Sequence, residues 1–187
     1  MKAVVSRDLD QLSVEDFTLD PPKAGELKIK MGAVGVCHSD LSIVNGTLPL
    51  PKPMLLGHEG AGIVDEVGEG VTGFARGDHV VLSFQPACGA CHFCHKHIPQ
   101  FCTVGIPHGL MLDMTSRVHQ GDTHFNVMQF LGCMAEYAVV PAISAVKIDP
   151  AIPLDRAALV GCGVMTGVGA AINTAKVTPG SSVAVFG

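Results

Sequence analysis

Basic side chains are scarce in this 187-residue chain: twelve Lys and Arg stand against seventeen Asp and Glu, a formal charge of −5. Nucleic acids and anionic membrane surfaces are met by clustered Lys and Arg, so this balance argues against both as partners. Long apolar runs are missing too. No stretch approaches eighteen apolar residues without several glycines, which argues against a membrane span. The opening MKAVVSRDLD turns acidic and polar after five residues and lacks the apolar core of a signal peptide. No internal repeat and no low-complexity tract is visible. Charged residues reach only 16% while apolar residues reach 48%, a composition that packs into a globular core. The simplest location is the cytoplasm.

Against these absences stands an excess of cysteine in one place. Four of the seven cysteines fall within CGACHFCHKHIPQFC, Cys88 to Cys102. An odd total leaves one thiol unpaired in any internal disulfide scheme, and cytoplasmic thiols stay reduced, so a metal is the better reading. Cys88, Cys91, Cys94 and Cys102 are separated by two, two and seven residues. Such spacers let thiolates converge on a tetrahedral ion at about 2.3 Å each, and Gly89 permits the tight turn. Four thiolates close the coordination sphere, so the site would be structural. An iron–sulfur cluster competes, because ferredoxins also use two-residue spacers; the longer gap to Cys102 and the lack of a second such set favour zinc. His92, His95 and His97 read as solvent-facing loop residues.

The first 85 residues read as short strands with turn punctuation, at 3–5, 26–37, 62–68 and 79–84. SDLSIVNG at 39–46 reads as one or two helical turns capped by Ser39 and closed by Gly46. Strands at this density point to a small barrel or sandwich. The texture then changes. Asp155 marks a helix start within 152–162, VMTGVGAAINTAKV at 164–177 reads as a longer helix of small residues, and SSVAVFG at 181–187 has a buried-strand pattern. A helix followed by an apolar strand ending in glycine is how a nucleotide-binding βαβ unit begins.

Three glycine-flanked motifs, GVCHSD at 35–40, GHEGAG at 57–62 and VGCGVMTG at 160–167, offer Cys37, His58 and Cys162. Two thiolates and one imidazole make a three-ligand zinc site with an open fourth position, the catalytic pattern. Buried cysteines in an ordinary core are the competing reading.

The segment GHEGAGIVDEVGEGV at 57–71 matches the zinc-containing alcohol dehydrogenase signature at Gly57, His58, Glu59, Gly62, Gly68 and Val71. CHSD at 37–40, the four-cysteine loop and GCGVMTG at 161–167 follow in the family's order, so the match runs over nearly the whole chain. The sequence thus resembles the front half of a medium-chain zinc-dependent alcohol dehydrogenase. That resemblance implies a mainly β fold with short helices: a GroES-like, partly open β-barrel followed by the first helix and strand of a Rossmann α/β domain. It implies a GroES-like catalytic domain over 1–162 and the start of the dinucleotide-binding domain over 163–187. The segment 115–140 resembles the long-loop, liver-type branch, which is commonly dimeric, so a homodimer or tetramer is expected.

The resemblance also assigns roles. Cys37, His58 and Cys162 would bind a catalytic zinc, with Glu59 as an alternate ligand or close neighbour, and Cys88, Cys91, Cys94 and Cys102 a structural one. Asp40 would fix the His58 tautomer, or serve only as a helix-start residue. Ser39 would begin a proton relay, with N-capping as its plain alternative. His38 would meet the cofactor pyrophosphate, or remain an exposed neutral side chain. Thr166 would lie against the nicotinamide of NAD or NADP, or pack the helix, and Gly187 would open the dinucleotide fingerprint. Phe84 matches an aromatic wall of the substrate pocket. The family often places histidine five residues after the first zinc cysteine, where this chain has Ser42, so the end of the relay is in doubt. Cys133 matches no family ligand. The expected reaction interconverts alcohols with aldehydes or ketones, and a chain ending at Gly187 is expected to bind cofactor poorly and turn over little. Two alternatives stay open: a zinc-stabilised scaffold without catalysis, and a thiol-adduct formaldehyde dehydrogenase.

Overall fold

Residues 2–8 bury Ala3, Val5 and Ser6 and expose the charged ends, and residues 26–35 bury Leu27 and Ile29. This near-alternation makes strands of both. In the computed structural model, which describes residues 1–105 and 109–186, the elements run in chain order as follows. β1 (Lys2–Asp8), β2 (Gln11–Asp16), β3 (Thr18–Leu19) and β4 (Glu26–Gly35) precede helix α1 (His38–Val44). β5 (Met54–Leu55), β6 (Glu59–Val67) and β7 (His79–Leu82) lead to the short α2 (His92–His95). β8 (Val118–Gln120), β9 (Thr123–His124), β10 (Asn126–Val127), β11 (Tyr137–Pro141) and β12 (Ala145–Lys147) follow, and α3 (Leu154–Thr174) is a continuous helix.

The strands form three open sheets, ordered β10-β5-β1-β2, β11-β4-β6-β7-β12 and β3-β8-β9, and these do not close into a barrel. The mainly β architecture expected from the sequence is present. The central sheet is antiparallel, with β4 pairing β6 through two register shifts, at Lys28/Ile29 and Met31/Ala33. Such irregularities bend a strand and let the sheet coil. Gly62 sits in this stretch because the backbone is too close for a side chain: a Cβ there would lie 2.4 Å from the Lys30 carbonyl oxygen. One core cluster gathers Leu27, Ile29, Val64, Val80 and Leu82; a second gathers Val5, Phe17, Leu55 and Phe125, with the two phenylalanine rings edge to face at 5.0 Å.

One charged cluster is buried beside these cores. Arg117, 2% exposed, donates from Nε to Glu26 Oε2 at 2.9 Å and from Nη2 to Glu26 Oε1 at 2.6 Å. A further bond reaches Asp113 Oδ2 at 2.8 Å. This two-pronged grip joins the start of β4 to residues 113–117.

Three local expectations are corrected. The residue before helix α1 that has extended backbone angles is Cys37 (φ −113°, ψ 155°), so Ser39 lies inside the first turn and is not the cap. Asp40 completes the helix start by accepting the Cys37 backbone N–H at 3.0 Å. Second, the helices expected at 152–162 and 164–177 are one helix: a π-helical stretch at Val160–Val164 carries the chain through Gly161 and Gly163 without a break, and a second follows at Ala170–Thr174. Third, residues 181–186 form no strand: a strand needs a neighbour to pair with, and here Val183, Val185 and Phe186 are exposed with no ladder. Gly187 lies outside the described residues. The helix Leu154–Thr174 is long and apolar enough, by length and composition, to cross a membrane. Its N-terminal part packs instead against the central sheet, where Ala157 and Ala158 meet Ala61, and Gly32 leaves room for Leu154.

Candidate metal centres and the adjoining pocket

The end of β4, the start of β6 and the first π turn of α3 bring four ligand-bearing side chains together. Cys37, His58, Glu59 and Cys162 each offer one atom within 4.8 Å of the others. The loop from Cys88 to Cys102 does the same with its four thiols. These are the two constellations read from the sequence, and both are assembled.

The first begins with a strained backbone. Gly57 has φ +99°, and a Cβ on it would lie 2.4 Å from the Met134 backbone nitrogen. Only glycine fits there, and its turn aims His58 inward. His58 is 2% exposed, and Asp40 and Glu59 are equally buried. Asp40 spans the site: Oδ2 takes the Cys37 N–H, while Oδ1 takes the Gly57 N–H at 3.1 Å and lies 3.5 Å from His58 Nδ1. That Nδ1 has no hydrogen bond among the described residues, and the carboxylate 3.5 Å away is the acceptor that faces it. Nε2 is thereby left for a metal. The ring also stands edge-on to Phe84 at 5.6 Å.

Electrostatics set the donor set's demand. Burial pushes the Cys162 thiol up to about 11, and the charges of Cys37 and Glu59 push the same way. Burial also opposes ionisation of Cys37, but hydrogen bonds from Ser39 and the nearness of His58 outweigh it and hold that thiol below its ordinary value. His58 is raised despite its burial, because Asp40 and Cys37 favour its proton. Thiolates, imidazole and carboxylate this close cannot all take their ligating forms unless a cation neutralises them. The residues therefore fit a divalent ion, and two sulfurs with a nitrogen suit zinc.

The four-cysteine loop is built differently. Apart from Cys102 it has hardly any buried apolar side chain; Phe101 is exposed, as are His92, His95 and His97. Backbone turns such as Ile98 N–H to the Phe93 carbonyl shape it, and N–H groups point at sulfur: Cys91 N–H to Cys88 Sγ and Cys88 N–H to Cys102 Sγ, both at 3.3 Å. Cys91 and Cys102 sulfurs are 3.8 Å apart. Backbone donors from Cys94 and Thr103 lower the Cys91 thiol to about 5, while burial and neighbouring sulfurs raise Cys94 to about 11. None of the three histidines joins the sulfur cluster. Cys133 is fully buried behind β6, its backbone N–H bonded to the Gly57 carbonyl at 3.1 Å, and burial raises its thiol strongly. It is a packed core thiol.

The remaining candidates lie around this centre. Ser39 Oγ is 3.6 Å from Cys37 Sγ, and Thr166 Oγ1 is 4.0 Å from Cys162 Sγ, one turn along α3. His38 Nδ1 meets Ser42 Oγ at 3.3 Å on the exposed side of α1. A cavity of about 510 Å³ opens at Cys162 and Thr166, with Phe84, Gln85 and Gln100 on its walls. The two glutamines were not singled out by the sequence: Gln100 is one unremarkable residue in the Cys94–Cys102 spacer, and only the folded loop brings it here.

Because Gly57 is the pivot of His58, Gly57→Ala is expected to weaken metal binding at this centre by about tenfold or more, the scale on which supporting residues act. A chelator-competition titration measures it, and affinity equal to the parent's would show that the pivot is dispensable.

The chain resembles solved structures over nearly its whole length. It is 33% identical to an alcohol dehydrogenase zinc-binding domain protein from Burkholderia ambifaria, covering 97% of this chain and 50% of that one, with a TM-score of 0.88. Benzyl alcohol dehydrogenase from Acinetobacter calcoaceticus gives 33% identity, the same coverages and a TM-score of 0.85. A short chain alcohol dehydrogenase from E. coli, solved in complex with NADH, gives 31% identity over 86% of this chain and 42% of that one, with a TM-score of 0.66. The chain thus spans about half the length of the structures it matches. Residues 23–150 match the alcohol dehydrogenase GroES-like domain, a stretch that includes the signature, Asp40 and the four-cysteine loop. By that match, the chain belongs to the alcohol dehydrogenase GroES-like domain family.

Proposed function

We propose that this chain is the zinc-binding catalytic portion of an NAD- or NADP-dependent alcohol dehydrogenase, interconverting alcohols with aldehydes or ketones. The observation that carries the reading is the convergence of Cys37, His58 and Cys162 beside a cavity, with a separate four-thiol site in the neighbouring loop. The relatives' names, and the NADH of one of them, support the reaction class. Residues 1–162 would form the catalytic domain and 163–187 the lead into the cofactor domain. The 115–140 segment favours the long-loop, liver-type branch and a homodimer or tetramer, in the reducing cytoplasm.

Cys37, His58 and Cys162 would hold the catalytic zinc, with Glu59 close enough to exchange as a ligand, and the four loop cysteines the structural one. Bound there, zinc would act as a Lewis acid on the substrate oxygen and ease loss of its proton. Asp40 keeps His58 in one tautomer and fixes the backbone of both Cys37 and Gly57, so two of the three donors are positioned by one carboxylate. Ser39, whose Oγ is 3.6 Å from Cys37 Sγ, would take the substrate proton while passing its own hydroxyl proton onward to the cofactor ribose. Phe84 covers the His58 ring and excludes water from that side. Thr166 and His38 are the residues we assign to the nicotinamide and pyrophosphate of the cofactor, which takes the hydride.

Zinc per chain tests this. Two ions in the purified protein, measured by mass spectrometry of the metals, are expected; one ion retained only by the loop would replace this reading with that of a zinc-stabilised scaffold.

A further inference from the structure

The cavity beside Cys162 has an unusual second wall. Part of the cavity's lining belongs to the proposed reaction centre: Phe84, Cys162, Met165 and Thr166. The rest of the lining comes from the four-cysteine loop and its approach, and it includes Gln85 and the solvent-exposed Gln100. Gln100 lies in the 3-10 turn Pro99–Phe101, between the third and fourth cysteines. Gln85 is half-buried, and its backbone is fixed by a bond of 3.3 Å from Ser83 Oγ to its carbonyl. Among the described residues neither side-chain amide has a hydrogen-bond partner, and no Lys or Arg lines the cavity.

An amide presents a donor and an acceptor and carries no charge. Two of them, without a protein partner on a lining that is mostly apolar apart from Ser83 and Thr166, suit a neutral polar group on the ligand. Carboxylate or phosphate would call for a cationic partner, which this lining lacks. We infer that Gln85 and Gln100 determine specificity, selecting alcohols that carry a second neutral hydrogen-bonding group, such as a distal hydroxyl, over simple aliphatic alcohols. This rests on the dehydrogenase reading for the reaction, but the recognition itself needs only the cavity. The four-cysteine loop then has a task beyond stability: its folding sets one wall of the substrate site.

The test uses the full-length, zinc-loaded protein and the matched probes butane-1,4-diol and butan-1-ol, with Gln85→Met, Gln100→Met and the double variant. Methionine keeps the length of glutamine and removes its hydrogen bonds. Each substitution is expected to reduce the diol-to-butanol ratio of kcat/KM by about three- to tenfold, the range of one neutral hydrogen bond. A general loss of folding lowers both substrates and leaves their ratio unmoved. The same ratio is read without turnover, from saturation-transfer NMR of the two probes. Unchanged binding ratios in the double variant would overturn the assignment. Binding discrimination that falls in the variants, in a protein that oxidises neither probe, would support the assignment while overturning the dehydrogenase reading.

Discussion

Arg117→Ala is expected to lower stability by about 3–5 kcal/mol, the cost of leaving a buried charge without its partner. For a chain of this size that corresponds to a fall in melting temperature of roughly 6–20 °C. The charge left behind is Glu26, which would stay buried with only the Lys23 backbone N–H, at 2.9 Å, to satisfy it. Arg117→Met, which fills the same space, is expected to be nearly as damaging alone and to recover when combined with Glu26→Gln. Thermal melts of the four proteins check this, and a fall below 2 °C for Arg117→Ala would show that water reaches the pair. The same cluster gives a pH signature. Burial would raise the Asp113 carboxyl, but Thr115, Lys23 and Arg117 hold it well below the ordinary carboxylate range. Because the folded value is depressed, this contribution is fully present above about pH 4 and is lost only as pH falls toward the lowered value.

His58→Ala and Cys94→Ser should each leave one zinc per chain, with opposite consequences. The first empties the buried centre while the sheet around it stays paired. On the proposed dehydrogenase reading, turnover of the full-length protein should fall by about a thousandfold or more, equivalent to roughly 4 kcal/mol of transition-state stabilisation, with a modest change in melting temperature. The second empties the loop. Residues 88–102 bury almost nothing except Cys102, so a bound ion would add much to the order their hydrogen bonds supply, and binding energies at structural zinc sites are large, about 10–16 kcal/mol. Cys94→Ser should make that loop a site of rapid proteolysis under native conditions, which His58→Ala should not. Equal protease resistance in the two variants would show that the thiol N–H bonds hold the loop unaided.

The sites were legible in the sequence because their chemistry rests on rare residue types in short motifs. Four cysteines at spacings of two, two and seven, and Gly57-His58-Glu59 at a forced turn, carry their geometry locally. Asp40 was legible as well, and the structure adds that it grips two backbone N–H groups besides facing the imidazole. Partnerships that depend on topology were not. Arg117 and Glu26 lie far apart in sequence, and nothing near either announces the other. Gln85 and Gln100 become neighbours of Cys162 only after the loop folds back. The misplaced cap at Ser39 has a plain cause: serine is the commoner capping residue, and the extended angles of Cys37 are set by its position at the end of β4, outside the reach of local propensity. The strand expected at 181–187 failed in the opposite way, since an apolar pattern states what a segment could pair with and not that a partner is there.

The π turn at Val160–Val164 has a consequence of its own. A π turn is an α-helix that has swallowed one surplus residue, and the ladder before and after it runs as usual. Deleting a single residue within that turn would therefore heal the helix, shortening it by one step and altering the angle at which its sulfur faces the imidazole. The direction of the Cys162 sulfur thus depends on a local miscount in the helix, the first of the two that it contains.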